Sequence, residues 1–196
     1  MMSLSERWAH QLASHGIITR DDEVLYSYGM RLGGLLLLNV ATIISIGWLM
    51  EMIKESIVFM IVYIPLRRMA GGYHATTQLR CYFLGIVLTV GVLLAVKWLP
   101  WNMFSSNTML MVASLAIIWL APMEDKNKPL NHEEKEKYGM YTQYILLLEV
   151  AVYVGLVIVK QIEMAIVLTE AFIVLSILLI LGKIIELKSK KHSVSQ

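Results

Sequence analysis

Apolar runs long enough to cross a bilayer recur along this chain, and that recurrence constrains its fold more than any other feature. A spanning helix needs about 20 mostly apolar residues, and a backbone in hydrocarbon must satisfy its own hydrogen bonds. Six runs qualify as candidates, at about 31–50, 53–66, 79–99, 107–123, 142–159 and 162–182. The expected fold is therefore all-α: a polytopic integral membrane bundle of about six transmembrane helices, with residues 1–196 forming a single membrane domain. Composition agrees. The chain is 57% hydrophobic with a mean hydropathy of +0.63, against about 45–50% apolar in soluble domains. The second run is the weakest. Its uncharged stretch from Ser56 to Leu66 would rise only about 16 Å as a helix, against about 30 Å of hydrocarbon. It is expected either to extend through Lys54 and Glu55 or to enter the membrane part way.

Basic residues set the orientation, because cytoplasmic loops carry the excess of Lys and Arg. Counted through the segments between the six runs, the 17 basic residues fall 3-1-3-1-4-1-4 from the N-terminus to the tail. Alternation at every step predicts six spans with both termini in the cytoplasm, a cell-membrane multi-pass protein. It also places the stretch 67–83 on the cytoplasmic face. Residues 1–30 read as an amphipathic N-terminal region: Leu4, Trp8 and Leu12 share one face of a short helix, with Ser5, Glu6, His10 and Ser14 elsewhere. Such a helix lies in the membrane interface or on the protein surface. The segment lacks a basic region leading into an apolar core, so it does not read as a secretory signal. "PWNMFSSN" (100–107) reads as an external turn, and 124–141 as a cytoplasmic loop.

Several function classes drop out. A net charge of +2, with basic residues spread between apolar runs, gives no patch for nucleic acid. One cysteine, Cys81, makes neither an internal disulfide nor a multi-thiolate metal site. The five histidines are scattered; no metal site and no cofactor is expected.

One short stretch, "RRMAGGYHATTQLRCYF" (67–83), concentrates chemistry. His74 precedes Cys81 by seven residues, about 10 Å along the axis of an unbroken helix. A base must come within about 3 Å of its nucleophile, so a catalytic pair requires the helix to break between them. Gly71-Gly72 disfavours helix and permits unusual backbone angles. Thr76 and Thr77 are candidate N-caps for a helix starting near Gln78. That would put Cys81 in the first turns of the third span, with His74 in the preceding loop. There a thiolate is favoured by the helix N-terminus and by Arg80, while burial in lipid would disfavour it. His74 can take the thiol proton and return one to a leaving amine. Backbone N–H groups near the Gly pair or the helix start can hold an oxyanion. Gln78 is the nearest polar candidate to orient His74. Each feature also has a plain structural reading: an inert packing cysteine, a solvated histidine, Arg67 and Arg68 as topological anchors, the glycines as a turn.

The same stretch resembles the accessory gene regulator B (AgrB) family of Gram-positive bacteria: an arginine, then Gly-Gly-x-His, then a cysteine seven residues after the histidine. "APMEDKNKPLNHEEKEKY" (121–138) is similar to that family's Pro- and Lys-containing loop, and size and multi-span layout agree. The resemblance implies a membrane-embedded cysteine endopeptidase that processes an AgrD-like precursor into a cyclic quorum-sensing peptide. It implies Cys81 as nucleophile and His74 as base and acid, with Arg67 and Gly72 on implicated motif positions; Arg67, Gly71, Gly72, Arg68 and Gln78 are expected as substrate-binding or structural support, Arg67 as a candidate to bind the precursor's acidic tail. It further implies an acyl-thioester on Cys81, resolved by an internal thiol or hydroxyl of the precursor. The precursor docks from the cytoplasmic side, and the enzyme is expected as a homodimer. The 124–141 loop carries five acids against four lysines, so it does not form a simple basic groove for an acidic peptide. Polar residues within the spans (Asn39, Glu149 and Glu170) are functional candidates, with interhelical hydrogen bonds as their expected role. The competing readings are a membrane scaffold with an inert Cys81 and a small transporter, which would need ionisable residues lining a path through several spans.

Overall fold

The computed structural model describes residues 3–73, 77–123 and 131–194, with side chains of the last helix described through Lys188. Seven helices follow one another: α1 (Leu4–Ser14), α2 (Glu23–Leu49), α3 (Ile53–Ala70), α4 (Gln78–Trp98), α5 (Met103–Leu120), α6 (His132–Ile158) and α7 (Ile162–Val194). No strand occurs among the described residues, apart from a single parallel bridge pair, Gly71 with Met123. The protein is a helical membrane bundle. Five helices (α2, α4, α5, α6 and the α7 stretch Ile162–Lys188) are long and apolar enough to cross a membrane.

The expected second run is the exception. α3 has 18 residues but carries Lys54, Glu55, Arg67 and Arg68 near its ends, and it is not among those five. It is nevertheless a core element: Glu55, Ser56, Phe59, Val62, Leu66 and Ala70 are buried. The helix also runs past Pro65 to Ala70 rather than ending at Leu66 as expected. Proline removes a helical hydrogen bond; burial of Leu66 and Ala70 beyond it offsets that loss.

The contacts group the chain into two compact units, residues 1–42 and 43–196, with the division inside α2. In the first, α1 is closed by a capping box in which Ser3 and Glu6 satisfy each other's backbone N–H groups. Leu4 and Trp8 on its apolar face are exposed. In the second, α7 is the hub, packing on α3, α4, α5 and α6. Ala165, Val167, Leu168, Phe172, Leu175, Leu178 and Leu179 are all at most 2% exposed, while Ile177 and Ile180 on the other side of the helix stay exposed. Gly47, the buried residue of α2, lets that helix close on Ser56 at the start of α3; a Cβ there would overlap the serine side chain.

Several helices extend beyond their apolar runs, while α5 stops at Leu120, short of the expected 123. α2 starts at Glu23 and α6 at His132, each before its apolar run begins, and α7 continues to Val194. Residues 132–141, expected within a connection, are the first turns of α6, started by an Asn131–Glu134 capping box. Apolar content marks where a helix meets lipid or core; caps mark where it begins.

Candidate active site

α3 stops where its sequence turns to glycine. Gly71 is the C-cap, with φ 75° and ψ −139°, and its N–H donates to the Arg67 carbonyl. Gly72 follows with φ 108°. Both angles lie in the region that side chains with a Cβ rarely adopt. Space is short as well: a Cβ on Gly71 would run into the Met123 carbonyl, and one on Gly72 into the Arg67 guanidinium.

The turn is then tied down from three sides. Met123 N–H donates to Ala70 O (2.9 Å). Tyr73 N–H donates to Leu178 O on α7 (3.0 Å). Gly182, one turn further along α7, leaves room for Tyr73; a Cβ there would sit 3.0 Å from the Tyr73 nitrogen. On the inner side, Arg67 reaches back, with Nη1 donating to Gly71 O and Nη2 to Tyr73 O. A guanidinium has donors in a fixed planar fork, and here two of them staple carbonyls on either side of Gly72. Arg67 is half-buried, whereas Arg68 is exposed.

α4 begins after this turn as the sequence predicts. Thr77 is its N-cap, in extended conformation, and its side chain accepts from Arg80 N–H at 3.3 Å. Cys81 therefore lies in the first turns of α4, its N–H donating to Thr77 O (3.0 Å). The thiol-bearing residue is exposed, as are Gln78 and Arg80. With α3 ending at Ala70 and α4 starting at Gln78, no unbroken helix joins positions 74 and 81. His74 itself lies outside the described residues, as does the adjacent cap candidate Thr76.

Two expectations change. The Gly71 and Tyr73 N–H groups are committed to carbonyls, so neither is an oxyanion donor in this conformation. The polar residues of the spans do not pair across helices as expected. Asn39 donates to Leu35 O in its own helix (2.8 Å). Glu149, 7% exposed, keeps an unpartnered Oε2. The interhelical polar network forms elsewhere. Tyr153 Oη donates to Asn107 Oδ1 (2.6 Å) and Ser106 Oγ (3.1 Å), and Ser106 shares a hydrogen bond with Thr169 (2.9 Å).

Residues overlooked in the sequence surround the turn. Tyr63, stacked on Phe59 with centroids 5.1 Å apart, lies within electrostatic range of both Arg67 and Cys81. Its spacing of one helical turn before Arg67 was the available signal. Met123, Leu178 and Gly182 gave no such signal, since their contribution is backbone atoms and space. Among the described residues, no group of His, Cys, Asp and Glu is placed to hold a metal ion.

A multi-span helical protein with an exposed thiol at a capped helix start, reached through a stapled Gly-Gly turn, defines a narrow class of membrane protein. The family model for accessory gene regulator B matches residues 5–186, and the chain belongs to that family. Curated relatives agree. It is 26% identical over 92 residues to AgrB-like protein 1 of Clostridium perfringens strain 13, covering 47% of this chain and 49% of that one. It is 24% identical over 108 residues to an AgrB-like protein of Clostridium perfringens strain SM101, covering 52% and 50%. The chain thus spans about half the length of the curated relatives it matches. No solved structure matches it.

Proposed function

We propose that this protein is the processing endopeptidase of a quorum-sensing system, cutting an AgrD-like precursor peptide and closing it into a ring. The observation that carries the reading is the exposed Cys81 in the first turns of α4, in a chain whose family is AgrB. A thiol there is accessible to a peptide.

The steps balance as follows. His74 removes the Cys81 thiol proton. The sulfur attacks the precursor carbonyl at the junction between signal core and C-terminal tail. The C–N bond breaks, and His74 delivers the proton to the leaving amine. The signal segment is now an acyl-thioester on Cys81. An internal thiol or hydroxyl of the precursor attacks that carbonyl, its proton passing through His74 back to the departing Cys81 sulfur. The product is a thiolactone or lactone. Intramolecular attack has a high effective molarity and outcompetes water. Arg67 supports this site through the turn it staples, rather than by binding the precursor's acidic tail. Gly71 and Gly72 allow the turn, and Arg68 and Gln78 flank it.

Orientation and assembly belong to the same proposal: the site faces the cytoplasm, the precursor docks at the inner leaflet, and the enzyme is a homodimer. The α2 helix, whose single buried residue is Gly47, leaves apolar surface for the bilayer and a second copy.

The test is co-expression with the candidate precursor encoded beside this gene, with intact-mass analysis of both chains. Wild type should release the C-terminal fragment and show a transient adduct on Cys81; Cys81→Ser and His74→Ala should do neither. Fragment release that persists in Cys81→Ser would overturn the assignment.

A further inference from the structure

At the other end of α4 the bundle opens a second site. Ala95 is fourteen residues beyond Cys81, about 21 Å along the helix. Here an open cavity of about 410 Å³, a cleft rather than an enclosed chamber, lies between the end of α4, the start of α5 and α7. Its walls are mostly apolar, Ala95, Leu99, Met109 and Ile173 among them, with Trp101, Ser105 and Glu170.

Glu170 is the unexpected member. It is only 6% exposed, and no hydrogen bond or ion pair to it is present among the described residues, yet it lines this cavity. A buried carboxyl without donors is costly, and the bundle had alternatives: Thr169 beside it joins the Tyr153–Ser106 network. Trp101 is fixed by donating its indole N–H to Ala95 O at 3.2 Å. With that donor spent, the indole offers the cavity only carbon and π surface.

An open, mostly apolar cleft of ligand-pocket size, holding one unpaired carboxyl and an indole, has the composition of an ammonium site: counter-charge, cation–π surface and walls for an apolar body. An acyl chain would fill the space but leave Glu170 without a partner. We infer that the cavity at the α4–α5 turn binds a small organic cation with an ammonium head and an apolar body, held by Glu170 and Trp101. The site is separate from Cys81 and independent of the processing reaction.

The test uses the full chain in lipid nanodiscs and equilibrium dialysis of benzyltrimethylammonium, with empty nanodiscs subtracted. Its uncharged carbon isostere, neopentylbenzene, is measured in parallel. Wild type should bind the cation saturably and at least tenfold tighter than the isostere. Glu170→Gln should lose at least tenfold in affinity and Trp101→Ala a smaller factor. Ile173→Trp, which occupies the cleft while keeping Glu170, should abolish binding. Thermal melting of each variant identifies any that fails to fold, and Ile173→Trp and Trp101→Ala test the site without touching the carboxyl. No saturable binding to wild type, equal binding of cation and isostere, or unchanged affinity in folded Glu170→Gln would each overturn the inference.

Discussion

The two turns that bracket α4 are built on opposite principles. The one after it, residues 99–102, is local. Leu99 N–H and the Trp101 indole both return to Ala95 O, and Asn102 and Ser105 cap α5 reciprocally. The one before it is built, at its described residues 71–73, on distant chain: Met123, Leu178 and the space at Gly182. A local turn survives changes elsewhere in the bundle, whereas a turn held by two other segments moves when either of them moves. The candidate active site sits on the second kind, so its geometry reports on α7 and on the chain after α5.

The sharpest contrast comes from chemistry against scaffold. Cys81→Ala should abolish precursor processing, a loss of more than about 10³-fold, with the melting temperature unchanged because the residue is exposed. Substituting the turn glycine comes next. Gly71→Ala meets both a φ of 75° and the Met123 carbonyl. The backbone conformation alone costs about 1–3 kcal/mol, so processing and melting temperature should fall together. Normal melting and turnover in that variant would break the argument for a tertiary turn.

Arg67→Lys separates two roles for one residue. A tail-binding arginine needs its charge, which lysine keeps. A staple across two carbonyls needs the planar fork, which lysine lacks. We expect kcat for processing to drop severalfold or more with KM for the precursor little changed; a rise in KM alone would restore the substrate-binding role. In the opposite half of the bundle, Tyr153→Phe removes bonds to Ser106 and Asn107 and should cost about 1–2 kcal/mol of stability, measured by thermal melting, with processing chemistry unaffected. Smallest is Asn102→Ala at the local turn. Losing the α5 cap should cost about 1 kcal/mol with turnover of the folded enzyme unchanged.

The same contrast explains what could be read from sequence. The α4–α5 turn was visible at the start of "PWNMFSSN" because its determinants are neighbours, although from Met103 onward that stretch is already α5. The start of α4 was visible at Thr77 for the same reason, and five of the six apolar runs became long helices. That α3 continues beyond Leu66 to Ala70 was not visible, because burial against α6 and α7 decides it. Nor was the inward turn of Arg67: its partners are carbonyls, which every residue possesses. The buried Glu149 and Glu170 were noticed as exceptions, but their expected partners were wrong, since spacing along a chain does not say which helix faces which.

Thr77 has one more consequence. An α-helix advances about 100° per residue, so the compass bearing of the Cys81 sulfur around α4 is counted from the cap four residues earlier. The cap works as the zero mark of a dial. One residue inserted between Thr77 and Cys81 would leave helix, thiol and cap all present, with the thiol swung about a quarter of the way round.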